Sequence, residues 1–315
     1  VSLAMNHASR ITHHASRTTH HAPRITPSFP QKPGAMPRII HVAHSPDSDD
    51  AFMFYALAEG KLDTGDFRYV HQLSDIESLN QRALRGELEV TAVSIHAYAY
   101  LASRYALLNS GCSMGDRYGP RLVSRSPTPV DPRAAAAGLR IAVPGRLTTA
   151  CLALRLYQPQ FEEVLVPFDQ IEDRVLDGVV DLGLLIHEGQ LTYADRGLHL
   201  WADLGEWWFG ETGLPLPLGG NVVRRDLGSA TIAQVARDLR RSIEYALEHR
   251  GPALEHASQF NRGIGEARTD RFVGMYVNHW TVDYGDRGRE AVRLLLRRGH
   301  EAGVIPNPVE VDFVG

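Results

Sequence analysis

The sequence predicts an α/β protein of two lobes, with a hinge and an interdomain cleft, and three observations carry that prediction. From Arg38 onward, short β-branched or apolar runs alternate with helical stretches, the signature of a largely parallel sheet covered by helices. A proline-rich connection, Ser126-Pro-Thr-Pro-Val-Asp-Pro132, then interrupts the alternation before a second α/β series begins, as a domain boundary would. The last third is helical almost throughout and holds too few strand signals for a sheet of its own. It is therefore expected to return to the first series, and two crossings between lobes make a hinge beside a cleft.

Taken in order, the first series reads as strand Arg38–His44, helix Asp50–Glu59, strand Phe67–Leu73, amphipathic helix Ile76–Arg85 and strand Leu88–Val93, with a further extended run at Tyr118–Arg125. Alternating and 3.6-residue apolar periodicities separate the strands from the helices. The second series reads as strand Leu139–Val143, helix Thr149–Tyr157, strand Glu163–Val166, helix Ile171–Leu176 and strand Asp181–Ile186. After an extended run at Gly219–Arg224 come helices Ile232–His249, Ala253–Asn261, Thr269–Val277 and Asp286–Ala302, punctuated by Gly, Pro and Asn. The expected large domain is discontinuous, residues 36–125 and 219–315, with a smaller one, 126–218, inserted.

Residues 1–35 are a different kind of sequence. Three seven-residue units, Asn6–Thr12, His13–Thr19 and His20–Thr26, contain no acid and almost no large apolar residue. Such a tract buries too little surface to offset chain entropy and is expected to be disordered. Its Arg/Ser-rich character mimics a transit peptide; the plainer expectation is an upstream extension, with the folded part beginning at Met36. Setting aside its four basic residues leaves 29 of the chain's 33 against 37 acids, a formal charge of −8. A body of that sign is unsuited to nucleic acid or an anionic membrane, both of which need a basic face. No run of about 18 apolar residues is present for membrane insertion, and no signal peptide opens the chain. A cytoplasmic protein acting on a small molecule is the expectation, with the oligomeric state left open. Cys112 and Cys151 allow neither a disulfide framework nor a four-ligand zinc site and are expected to be buried thiols.

Ligands in open α/β sheets collect beyond the carboxyl ends of the strands. Four turns fall there: His44-Ser-Pro-Asp-Ser-Asp-Asp50, Ser94-Ile-His96, Pro144-Gly-Arg-Leu-Thr-Thr149 and His187-Glu188. Two come from each lobe, so they face one another across the cleft. Ser45, Asp47, Ser48, Thr148 and Thr149 are ordinary helix caps as well; capping and binding are compatible, because a helix N-terminus presents free amides to a carboxylate. Gly145 with the two threonines suits such a cradle, and Arg146 is its candidate charged partner. His187 follows Leu182-Gly-Leu-Leu-Ile186 and so lies at a strand end; it is either a structural histidine or a general base, for which its ordinary pKa near 6.5 suits it. Glu188 reads as a helix cap, since adjacent side chains on extended backbone diverge.

Other chemistries lack their residues. There is no His-Glu-x-x-His and no zinc-spaced cysteine pair, no Walker loop, and no Gly-x-Gly-x-x-Gly after a strand. Gly263-Ile-Gly265 falls in a helical region. No cofactor and no metal are expected. One tract resists explanation by packing: Trp207-Trp208, half of the chain's four tryptophans, followed by Leu214-Pro-Leu-Pro-Leu-Gly219. A helix interior or a central strand should not tolerate those prolines. The tryptophans wall the cleft or pack between lobes, and Leu214–Gly219 reads as the return crossing of the hinge.

At these residues the chain resembles the 1,4-dihydroxy-6-naphthoate synthase (MqnD) family of the futalosine route to menaquinone, from about Arg38 to Asp312. The resemblance rests on Ile186-His-Glu188 with Thr192-Tyr193, Leu204-Gly-Glu-Trp-Trp208, Thr212-Gly-Leu-Pro-Leu-Pro-Leu-Gly219, and Val143-Pro-Gly-Arg146 with Thr148-Thr-Ala150. It implies a periplasmic-binding-protein-like (type II) fold and a lyase that splits cyclic dehypoxanthine futalosine into the naphthoate and a sugar-derived fragment. It further implies His187 as proton acceptor, with Thr148, Thr149 and the turn Ala92-Val93-Ser94 in contact with substrate. Pro46 and Asp50 of the first turn and Arg146 complete the candidate binding set. The chain departs from the family pattern at Ala92, where the family has lysine, and at Ser45–Ala51, which replaces a Ser-Pro-Cys-Pro-Asn-Asp-Thr type of run. Two other readings share the architecture: a non-catalytic solute-binding protein, which requires export, and the related chorismate dehydratase.

Overall fold

The computed structural model describes residues 37–315; the repeat-bearing extension and the expected start at Met36 lie outside the described residues. Among the described residues two sheets form, and the chain visits them in the order first, second, first. Strands β1 (Arg38–His44), β2 (Phe67–Leu73), β3 (Val90–Ser94), β4 (Tyr105–Leu108) and β5 (Ser113–Gly115) open the first sheet. Strands β6 (Arg121–Ser124), β7 (Arg140–Val143), β8 (Glu162–Leu165), β9 (Leu182–Leu185) and β10 (His199–Asp203) make the second. Strands β11 (Leu216–Arg224) and β12 (Phe313–Val314) then return to the first. Its order is β12-β4-β11-β3-β1-β2 with β5 beside β11, and the second runs β10-β6-β9-β7-β8. The predicted α/β architecture of two lobes around a cleft is what forms.

The helices follow from their buried stripes. Ser229–Glu248 buries Val235, Leu239, Ile243 and Ala246, three or four residues apart, and each large aliphatic contributes about 1.5–3 kcal/mol on leaving water. Gly285–Glu301 buries Val292, Leu295 and Leu296 in the same way. The expected helix over Asp50–Glu59 breaks at Phe54, giving Ser48–Met53 and Tyr55–Ala58. The break lets Phe52, Met53, Phe54 and Tyr55 all be buried, which one straight helix with a single apolar face does not allow. β3 is buried along its whole length, as befits a strand covered on both faces. Both cysteines are buried as well.

The crossings between sheets differ from their expected positions. The run at Tyr118–Arg125 yields β6, which pairs with β9 and β10 of the second sheet. The chain therefore crosses before that run, between Gly115 and Arg121. The proline stretch instead leads into the short helix Pro132–Ala135, where Pro132 takes the first helical turn and Asp131 accepts the Ala134 N–H as cap. On the return, Leu216–Gly219 already belongs to β11, so the crossing is the preceding segment with its helix Leu204–Thr212. Pro217 is tolerated in an interior strand because it lies opposite Met114 of short β5, at an irregularity between Pro217 and Gly219. The two crossing segments touch. Leu204 N–H donates to the Pro120 carbonyl at 2.9 Å, and a Cβ on Gly205 would lie 1.9 Å from the Tyr118 carbonyl oxygen.

The tryptophan pair is packing. Trp208 is fully buried and its Nε1–H donates to the Pro215 carbonyl at 3.1 Å. Trp207 sets its ring edge-to-face with Tyr157, centroids 5.4 Å apart. Neither lines the cleft.

Candidate active site

The four strand-end turns converge on a cleft of about 750 Å³, measured out to its open mouth. Asp47 follows β1 and His187 follows β9, so the first sheet supplies an acid and the second an imidazole. His187 has a left-handed backbone, φ 57°, uncommon for a residue with a side chain and costing about 1–3 kcal/mol. Buried Gln190 holds that turn, its amide oxygen 3.2 Å from the His187 N–H and its amide nitrogen 2.7 Å from the Gly119 carbonyl. The Tyr276 hydroxyl stands 2.7 Å from the same amide.

The turn directs His187 Nδ1 to Asp47 Oδ2 at 2.9 Å. Nε2 is buried, without a hydrogen-bond partner among the described residues, and His187 lines the cleft. Phe168 meets the imidazole edge-to-face at 4.9 Å. Burial opposes the charged imidazole, but the Asp47 charge and hydrogen bond outweigh it and raise the His187 pKa. Burial would likewise push Asp47 up; His187, Arg262 and the Ser45 hydroxyl bring its carboxyl down to about 2.

Asp47 begins the helix Ser48–Met53 but makes no side-chain cap bond. Its carboxylate instead takes His187, the Ser45 hydroxyl and the Arg262 guanidinium. Glu188, expected to cap, also makes no cap bond. It accepts from Ser48 Oγ and from Arg262 Nη1, both at 3.2 Å, because the left-handed turn at His187 sends the two neighbouring side chains to different partners on the first-sheet side. Asp49 lines the cleft with no hydrogen-bond partner among the described residues. Asp50 lines it too, accepting the Ser45 N–H at 2.7 Å. Its burial, with Asp47 near, pushes its carboxyl up to about 7.

On the opposite wall, Thr148 caps the helix Thr149–Tyr157 through Cys151 N–H. Its hydroxyl also donates to the Gly145 carbonyl at 2.7 Å. Thr149 Oγ1 donates to Leu218 O at 2.5 Å and accepts the His96 N–H at 3.2 Å. Both threonine hydroxyls are thus committed to protein; what the helix end offers a ligand is its unpaired first-turn N–H groups and their partial positive charge. Ser94 Oγ accepts from Asn80 Nδ2 at 3.1 Å, leaving its own proton for a cleft ligand. Ala92 and Val93 complete that wall.

Two sequence candidates stand elsewhere. Arg146 pairs with Glu163 at 2.6 Å on an exposed side chain and does not line the cleft; the acid on β8 captures it. Pro46 is also absent from the lining, turned aside as its neighbours Ser45 and Asp47 face inward. No lysine or arginine is among the described lining residues, and no group of three or more His, Cys, Asp and Glu among the described residues is disposed to hold a metal ion. Sequence reasoning missed Arg262, Asp49, Gln190 and Tyr276. Gly263-Ile-Gly265 was the available signal: Arg262, Gly263 and Gly265 all have left-handed φ, 51°, 81° and 83°, in a loop rather than a helix.

A cleft between two α/β sheets, with an acid–base pair assembled from opposite strand ends, defines a two-lobed small-molecule protein of the periplasmic-binding-protein-like fold. The alkanesulfonate-binding protein of Xanthomonas axonopodis pv. citri, solved bound to MOPS, shares that fold at a TM-score of 0.63 and 12% identity, over 88% of this chain and 98% of its own. A crystal structure from Archaeoglobus fulgidus matches at a TM-score of 0.81 with 47% identity, over 85% of this chain and 98% of that one. The family model described as menaquinone biosynthesis matches residues 40–301. The 1,4-dihydroxy-6-naphthoate synthase of Thermus thermophilus is 40% identical over 270 residues, 85% of this chain and 97% of the relative. That of Streptomyces coelicolor is 37% identical over 277 residues, 85% and 95%. The chain belongs to the 1,4-dihydroxy-6-naphthoate synthase family, enzymes of menaquinone biosynthesis.

Proposed function

We propose that this enzyme is a lyase that splits cyclic dehypoxanthine futalosine, releasing 1,4-dihydroxy-6-naphthoate and a small sugar-derived fragment, with His187 as general base. One observation carries the reading: His187 Nδ1 is engaged by Asp47 at 2.9 Å while Nε2, on a residue lining the cleft, is buried with no partner among the described residues. With the proton on Nδ1 donated to Asp47, Nε2 keeps its lone pair and accepts a proton from the sugar-derived part. The developing imidazolium is stabilised by Asp47, and the aromaticity of the forming dihydroxynaphthalene drives cleavage.

The substrate carboxylate sits at the N-terminus of the helix Thr149–Tyr157, beside Ser94. A cleft lining without lysine or arginine suits that assignment, because the free amides of a helix end are then the available positive potential. Asp49, on the cleft wall, takes a sugar hydroxyl. Closure of the lobes excludes water and aligns the base. The reaction uses no cofactor and takes place in the cytoplasm.

The test is to incubate the protein with cyclic dehypoxanthine futalosine and detect the naphthoate by mass spectrometry. Product is expected, and His187→Ala should lower turnover by about 10²–10⁴-fold with modest loss of binding. No product where an authentic synthase gives it would leave the solute-binding reading ahead; near-normal turnover in the variant would remove His187 as base.

A further inference from the structure

We propose that Arg262 is a positioning residue, which clamps the turns after β1 and β9 together and keeps His187 available as a neutral base. The proposal rests on the reading of His187 given above. Arg262 does not line the cleft, so whatever it does is done through its neighbours. One nitrogen of its guanidinium meets Asp47 Oδ1, and the other meets Glu188 Oε2 at 3.2 Å. Its carbon lies 4.5 Å over the Phe168 ring, and Phe168 is the ring packed edge-on against His187. Arg262 therefore touches the carboxylate that orients the base, the residue after the base, and the ring beside it.

These partners belong to different sheets. Asp47 follows β1 of the first, whereas Phe168, His187 and Glu188 lie among the strands of the second. Arg262 itself comes from the C-terminal block, in the loop between the helical turn Ser258–Phe260 and the helix Glu266–Tyr276. Three left-handed residues within four positions, Arg262, Gly263 and Gly265, shape that loop. A planar guanidinium with forked donors spans two carboxylates; a point-charge ammonium does not.

The charges around His187 give the clamp a second consequence. Facing the imidazole are Asp47, Asp49 and Glu188, with Arg262 as the opposing cation; burial favours the neutral forms of Asp49 and Glu188, so Asp47 is the standing charge that Arg262 offsets. Without Arg262, His187 alone would balance the Asp47 charge, and the imidazolium would persist to higher pH. A proton acceptor held as its conjugate acid does no work at neutral pH.

The experiment compares Arg262→Met and Arg262→Lys with wild type and His187→Gln. The titration of the His187 imidazole is followed by NMR in ligand-free protein, with His187→Gln assigning the resonance, and the pH dependence of naphthoate formation is measured alongside. Arg262→Met is expected to raise the His187 titration midpoint by about one pH unit. It should move the acidic limb of kcat/KM the same way and lower kcat at pH 7 by about tenfold or more. Arg262→Lys is expected to return the midpoint toward wild type while kcat recovers only in part. An unchanged midpoint in Arg262→Met would overturn the proposal, and because that reading needs no turnover it stands apart from the base assignment. Should Arg262→Met fail to fold, the lysine variant decides alone: full wild-type kcat would overturn the two-carboxylate clamp, and partial kcat with a wild-type midpoint supports it. Normal turnover in His187→Gln would instead sink the reading of the base.

Discussion

His187 Nδ1 stands 2.9 Å from Asp47 Oδ2, and the two residues follow strands of different sheets. The base and the carboxylate that orients it are thus supplied by different sheets, and the contact depends on how the two sheets are held.

Asp47→Asn should lower kcat by about 10²–10⁴-fold. The amide offers neither the charge that stabilises imidazolium nor a reliable acceptor for Nδ1–H, so the neutral ring loses its preferred tautomer. Steady-state naphthoate formation with purified, folded variant measures it, and turnover within a few-fold of wild type would exclude Asp47 from the mechanism.

The pH profile follows from the same pair. A neutral base is required, so activity rises with pH through the His187 pKa, which Asp47 holds above the ordinary 6.5 against the effect of burial. Wild-type kcat/KM should therefore climb through a midpoint above 6.5. In the residual activity of Asp47→Asn burial then prevails, and the midpoint should drop below 6.5. Asp50, near 7, titrates in the same window. Asp50→Asn should leave the limb in place if it belongs to His187; loss of the limb in that variant would reassign it.

A second histidine pair governs acid stability. His44 Nδ1 lies 3.0 Å from the Ser45 carbonyl, so that nitrogen carries the proton and Nε2 accepts from His71 Nδ1 at 3.1 Å. His71 Nε2 is then buried as a bare acceptor without a partner among the described residues. Burial lowers His44 to about 4 and His71 to about 3. Between 6.5 and those values the unfolded chain binds more protons than the folded one, so stability is lost as pH falls through that window. His71→Asn keeps a donor at the Nδ1 position but cannot titrate. It should make the decline between pH 6.5 and 5 shallower by about 1 kcal/mol per pH unit on average, as read by urea unfolding; an identical slope would refute the assignment.

Gly205→Ala should destabilise the protein by about 3 kcal/mol or more. The added Cβ would lie 1.9 Å from the Tyr118 carbonyl oxygen, where the obstacle is backbone. By contrast Gly210→Ala, on the same helix with open space around it, should be neutral or slightly stabilising. Thermal melts of the two variants side by side test this, and equal melting temperatures would show that the crossing segments separate freely.

Sequence reasoning located the strands of both sheets where apolar alternation was strong and lost them where it was short. β4, β5 and β10 escaped because three to five residues of ordinary composition carry no period of their own, and their pairing partners are distant. The four strand-end turns were legible because topology alone places them, and the structure brings Asp50, Ser94, Thr149 and His187 to one cleft. The partners of those residues were not legible. Arg262 meets Asp47 across 215 positions of sequence, and its turn is set by left-handed backbone that hydrophobic periodicity does not report. Arg146 and Glu188 were misread for a related reason: each lies beside the right turn, and a local rule cannot say which distant carboxylate or guanidinium will capture the side chain.

Strand β11 lies between β3 and β4, yet the whole second sheet precedes it in the chain. During synthesis the second sheet has all of its strands once β10 has left the ribosome, while the first still lacks its interior member. Until residues 216–224 emerge, β3 and β4 have no shared neighbour, and a long buried strand edge stands open to pairing with other chains. The second sheet thus has its full set of strands before the first does, and a chain ended between Asp203 and Leu216 would leave the facing edges of β3 and β4 unpaired.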